Sequence, residues 1–237
     1  MEWFGDNYAK FDFEMFSLSH FIIMGIFLGF TARLYYMRGR LKDEKWRHAE
    51  ISLAISLIIL ELINHLWMYV NGNWKASHSL PLELCNISLL LTIIFLFSRK
   101  KLLYEILLFT GLLGATQAIF TPSLNYDFPH FRFFHFFITH MVIVWVPLYF
   151  TWAKGYRPTI WSCVKLFVFI NLLAPTVLLI NHLVDGNYMY LNHKPKHASL
   201  LDFLGPYPYY ILSLEVLTII LTLIVWFVFR EKKGKIR

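Results

Sequence analysis

Residues 79–88 read SLPLELCNIS and place a carboxylate (Glu83), a thiol (Cys85) and an amide (Asn86) within about one helical turn, at the mouth of an otherwise apolar stretch. A thiol can act as an acyl-transfer nucleophile when an imidazole takes its proton and a hydrogen-bond donor faces the developing oxyanion. The imidazoles at matching depth are His65 and His140, with Asn64, Asn86 and Gln117 as candidate donors and Glu61 or Glu83 as candidates to orient the base. The plain alternative is that Cys85 is a small buried hydrophobe and His140 a satisfied core residue. A disulfide is excluded by topology, because the other cysteine, Cys163, belongs to the opposite end of its own segment.

Further polar residues interrupt the other apolar segments. Glu61, Asn64 and His65 are spaced i, i+3 and i+4 and share one helical face. A carboxylate at membrane depth costs about 2.5–3.5 kcal/mol to insert, so that face is expected to turn toward a cavity or partner. His135 and His140 are five apart, about 140° around a helix, and do not form an i, i+4 metal pair. Asn171, Asn181, His182 and Glu215 complete the set. All fall in the middle and outer thirds of their segments, which predicts one polar pocket opening outward above an almost purely apolar inner third. Glu105 and Tyr104 are expected at the interfacial rim, and the loop 37–48 as a solvated turn.

Composition determines what must position these groups. The chain is 57% hydrophobic and 19% aromatic with only 16% charged residues, against about a quarter charged in soluble domains. It reads as an all-α, polytopic membrane bundle, one domain over residues 1–237. Seven windows approach the about 20 residues needed to cross a bilayer: Ser17–Tyr36, Ala49–Val70, Leu80–Ser98, Leu103–Phe120, Phe133–Trp152, Ile160–Leu183 and Tyr207–Phe229. Pro81 suits the first turn of the third, and Pro147 should kink the fifth. The acidic start (Glu2, Asp6, Asp12, Glu14) is unlike a signal peptide, so the first window is expected to be retained.

Arg38, Arg40, Lys42, Lys45, Arg47, Arg99, Lys100, Lys101, Lys154, Arg157, Arg230, Lys232, Lys233, Lys235 and Arg237 lie in one set of loops; the other set has Lys10, Lys75, Arg132, Lys194 and Lys196. The positive-inside rule then places the N-terminus outside and the C-terminus in the cytoplasm. The net charge of +7 reflects that topology and attraction to anionic head groups, with no case for nucleic acid. Membrane lipids are the expected partners. The outer segment 187–206 reads as a folded lid over a pocket for a lipid or small-molecule ligand.

The motifs PLELC (81–85), TPSL (121–124), FFITHMVIVWVPLY (136–149), NYMYL (187–191) and SLLDFLGPYPYY (199–210) resemble, in order, the YwaF-type integral membrane proteins of bacteria. The resemblance runs from the second span to the seventh and implies a multi-pass protein of the bacterial cytoplasmic membrane. More distantly, HMVIVWVPLY (140–149) is similar to an animal transmembrane acyltransferase acting on ether phospholipids. That similarity implies a catalytic His140 and an acyl-carrying cysteine early in the third span, where Cys85 stands.

Three functions are compatible with these residues. The first is lipid acyl transfer or acyl hydrolysis, with no cofactor. The second is a metal-dependent hydrolase holding zinc through His65, His135, His140 and His182 with a carboxylate, although no HExxH-like spacing supports it and no metal is expected. The third is a binding or transport protein using Glu61, Glu83 and Glu215 as intramembrane carboxylates.

Overall fold

The computed structural model describes residues 2–6, 11–195 and 200–231. Lys10, Lys196, Lys232, Lys233, Lys235 and Arg237, which entered the charge argument, lie outside them, as does part of the outer segment. The described residues form seven long helices: α1 Leu18–Met37, α2 Arg47–Val70, α3 Leu84–Ser98, α4 Lys101–Phe120, α5 Phe131–Trp152, α6 Ile160–Val184 and α7 Tyr209–Phe229. Six are long and apolar enough to cross a membrane; α3, with 15 residues, is shorter. The chain is a multi-pass membrane protein.

α3 begins later than its apolar pattern predicts, because residues 80–83 spend their polar groups outside a helix. The Leu80 amide donates to the Tyr188 hydroxyl (2.8 Å), and Glu83 is the extended N-cap residue (φ −67°, ψ 146°). Pro81 therefore precedes the helix rather than opening it.

Helix ends gather at two faces. On the basic face, the Arg47 guanidinium donates to the Leu96 and Phe97 carbonyls (2.6 Å each), the Tyr156 hydroxyl donates to the Arg99 carbonyl (2.9 Å), and Ser162 donates to Glu105 (2.9 Å). On the opposite face, the His20 imidazole donates to the Ile119 carbonyl (2.9 Å) and the Trp67 indole to the Phe4 carbonyl (2.9 Å). α5 is the central helix, with 67% of its apolar window buried, while the corresponding windows of α1, α6 and α7 are 11% buried and turn apolar side chains outward. Such all-round apolar helices suit lipid contact.

α4 and α5 run antiparallel in close contact. The Tyr104 hydroxyl lies 2.8 Å from Thr151 Oγ1, and Gly111 abuts the Ile143 carbonyl. Pro147 inside α5 has no N–H, so that carbonyl lacks its usual i+4 donor and is left facing the glycine. At the same point α4 widens into one π-helical turn, Gly111–Ala115.

The inner third is not purely apolar, which corrects the sequence expectation. Glu50 is buried and accepts from Arg99 Nε and Nη2 (2.8 Å each), Arg47 Nη1 (3.0 Å) and the Tyr149 hydroxyl (2.8 Å). Glu105 is also buried, rather than interfacial, and binds Ser162 and Lys165 Nζ (2.6 Å); Tyr104 is fully buried. A carboxylate is stable at this depth only when its charge is met. Arg47 and Arg99 are therefore structural ion-pair partners, beyond their role as topology markers.

A Cβ added to Gly111 would lie 2.6 Å from the Ile143 carbonyl oxygen, whereas one added to Gly25 meets nothing within 4 Å. Gly111→Ala should lower stability by about 1–3 kcal/mol, read as a lower Tm in detergent, while Gly25→Ala leaves it unchanged or raises it.

Candidate functional site

The expected polar residues are distributed over three interfaces. Between α2 and α5, His135 Nε2 lies 2.7 Å from Glu61 Oε1 and Arg132 donates to Asn64 Oδ1. The same guanidinium sits over the Trp67 ring, 5.4 Å from its centroid, and the Trp74 indole donates to His65 Nδ1 (3.3 Å). Glu61, Asn64 and His65 do share the face their spacing predicts, and it is turned to α5 and to the loop behind α2.

At the start of α3, Glu83 Oε2 accepts from the Met189 amide (3.0 Å). Asn181 on α6 is fully buried and pairs reciprocally with Tyr188, accepting from its amide (2.8 Å) and donating to its carbonyl (3.0 Å). The Tyr188 hydroxyl donates to the Ala76 carbonyl (2.7 Å). Residues 185–195 are thereby fastened over the loop that leads into α3.

Between α6 and α7, Asn171 donates to Glu215 Oε1 (2.7 Å) on a side open to the surroundings. Asn86, Gln117 and His182 are exposed. Cavities of about 300, 690 and 520 Å³ lie toward the basic face, and none is lined by any of these residues. Among the described residues no three of His, Cys, Asp and Glu come together as a metal would require.

Cys85 and His140 are related through α4. The contacts Tyr104 to Thr151 and Gly111 to Ile143 define the antiparallel register. Gly114 lies within the π-helical turn that begins at Gly111. Cys85 Sγ is 3.9 Å from where a Cβ on Gly114 would stand. Among the described residues no hydrogen bond joins Cys85 to a histidine.

The protonation pattern of His140 follows from its partner. A carbonyl only accepts, so Nδ1 carries the proton that bonds the Phe136 oxygen (2.7 Å), and Nε2 is left with its lone pair. The ring rests on Phe136 at a centroid distance of 4.2 Å. No carboxylate orients it: Glu61 is occupied by His135 and Glu83 by the Met189 amide.

The first-turn amides of α3 receive no cap from the Glu83 side chain, which is turned to Met189. The start of α3 therefore presents free N–H groups around Cys85, with the positive end of the helix dipole behind them. Sequence reasoning missed this, along with Glu50 and the Tyr188 anchor. A carboxylate one residue inside an apolar window was the available signal for Glu50.

His130, in the loop ahead of α5, is fully buried, accepts the Arg132 amide at Nδ1 (3.1 Å) and donates from Nε2 to the Gly5 carbonyl (2.9 Å). Burial holds its pKa below the ordinary histidine value. A depressed pKa makes the neutral form the folded one, so this contribution is complete above about pH 6.5 and is lost as pH falls below it. Unfolding in detergent followed from pH 8 to pH 5 should show stability declining in that range, and His130→Asn should flatten the decline.

No curated protein and no solved structure matches the chain. A family model does match residues 15–226, nearly the whole length. By that match and its membrane-length helices, the chain belongs to the TMEM164 family of transmembrane proteins.

Proposed function

We propose that this protein is a membrane-embedded lipid acyltransferase or acyl hydrolase, with Cys85 as nucleophile and His140 as base. The observation that carries the reading is that Cys85 Sγ lies against Gly114 of α4, the helix packed on α5, while His140 on α5 bonds the Phe136 carbonyl through Nδ1 and leaves Nε2 free. Cys85 Sγ gives its proton to Nε2 and attacks the ester carbonyl carbon of a lipid. The oxyanion is met by the uncapped amides at the start of α3 or by Asn86. Collapse breaks the ester C–O bond, the lysolipid oxygen leaves with the proton from His140, and a thioester remains on Cys85. A hydroxyl acceptor or water then takes the acyl group by the reverse proton path.

The same reading makes α3 the seventh crossing. At about 1.5 Å per residue, 15 residues span about 22 Å, and residues 79–83 extend the path. The excess of basic residues in one set of loops supports a cytoplasmic C-terminus, and the YwaF-type motifs support a bacterial cell membrane. A fluorescent protein fused to the C-terminus should light up and a fused alkaline phosphatase stay inactive; the opposite result reverses the orientation. The transport reading has less support, since Glu61, Glu83 and Glu215 each have a protein partner.

Membranes containing the protein and a phospholipid with an alkyne-tagged acyl chain should yield a hydroxylamine-labile label on the chain. Cys85→Ala should abolish the label, and His140→Asn should slow its appearance about 10²–10⁴-fold while leaving the folded yield intact. A label that persists in Cys85→Ala sinks the thioester mechanism.

A further inference from the structure

Two cavities meet at the basic face. One, of about 300 Å³, is walled by apolar residues of α1, α2, α5 and the turn before α2, among them Phe30, Trp46, Leu53 and Trp145, and Glu50 and Tyr149 also line it. The other, of about 520 Å³, is lined by Lys42, Glu44, Arg99, Lys154 and Tyr156. They share a wall: Leu41 lines the first and Lys42 the second, and Arg99 in the second binds Glu50 in the first. Lys154 Nζ lies 5.8 Å from the centroid of the Tyr149 ring, which belongs to the apolar cavity.

The polar cavity is cationic, with three basic side chains against one carboxylate. Glu44 bridges two of them, at 2.6 Å from Arg99 Nη1 and 3.3 Å from Lys154 Nζ. The Lys154 side chain is only 7% exposed, whereas that of Glu44 is 69% exposed. The remaining bonds of Lys154 go to the carbonyls of Lys42 and Asp43, and those of Arg99 to Glu50. One rotation of an exposed side chain therefore frees an anion position between a guanidinium and an ammonium, beside an apolar slot reaching into the membrane.

We infer that these cavities together bind an anionic phospholipid of the leaflet at the basic face, its phosphate replacing Glu44 between Arg99 and Lys154 and an acyl chain lying against Trp46 and Trp145. A phosphate offers the charge and acceptor oxygens that the carboxylate now supplies. The apolar slot separates a lipid from a free phosphate, which could use only the polar half. This site is distinct from Cys85 and His140. A lipid seated here has its ester groups at the basic face, on the far side of the membrane from the start of α3.

Bromine on an acyl chain quenches nearby tryptophan, and Trp46 and Trp145 provide the report. The full-length protein in nanodiscs of zwitterionic lipid is titrated with brominated phosphatidylglycerol or brominated phosphatidylcholine. The anionic lipid should quench at lower mole fraction, and the difference should shrink in a Trp46→Phe, Trp145→Phe double variant. Glu44→Gln should strengthen apparent binding and Lys154→Gln weaken it, each about fivefold. If Lys154→Gln does not fold, Glu44→Gln carries the test by itself. Equal quenching by the two lipids, or no change in Glu44→Gln, overturns the inference. Protection of the site by millimolar inorganic phosphate without any lipid preference also overturns it and assigns a free anion.

Discussion

Two helix backbones can touch only where a side chain is missing, and α4 meets α5 at such a point. Gly111 lies against the Ile143 carbonyl, which Pro147 has deprived of its helical donor. The glycine removes the steric barrier and the proline supplies the exposed carbonyl, so one packing contact resolves the cost of both residues. That contact sets the register of the central pair. One turn further on, Gly114 leaves room for Cys85 Sγ against α4. The π-helical turn begins at the same glycine and alters which α4 residues face α3 and α5.

Charge imposes the second constraint. In a chain with so much apolar surface, each carboxylate drawn into the bundle needs a cation or donor close by. Glu50 meets this with Arg47, Arg99 and Tyr149, and Glu105 with Lys165 and Ser162. These pairs tie the starts of α2, α4 and α6 to the ends of α3 and α5. The basic residues that orient the protein by their number also close the bundle by their geometry. On the opposite face neutral groups do the equivalent work, as in the reciprocal bonds of Asn181 with Tyr188.

These pairings distribute the outer polar residues over several interfaces. Glu61, Glu83, His135, Asn181 and Glu215 share a depth. Their azimuths differ, and each found a partner on the nearest helix or loop. Glu61 and His135 satisfy one another across α2 and α5, and Asn171 and Glu215 do so across α6 and α7. Under the proposed acyl-transfer reading, what stays available is what no neighbour claims: the Nε2 lone pair of His140, the Cys85 thiol and the uncapped amides of α3.

The sequence by itself determined the helical class, the membrane setting, the approximate extent of six long apolar helices and the segregation of basic loops, because these follow from composition and from periodicity within one segment. It also singled out His140 and Cys85 by type and depth. Only the tertiary structure decided which polar groups consume one another, where α3 begins and that Glu50 and Glu105 are buried. Those outcomes depend on contacts between residues far apart in the chain: Glu83 with Met189, Glu50 with Arg99, Gly111 with Ile143. A helical repeat fixes azimuth within its own helix, and the rotation of one helix against another is settled by packing alone.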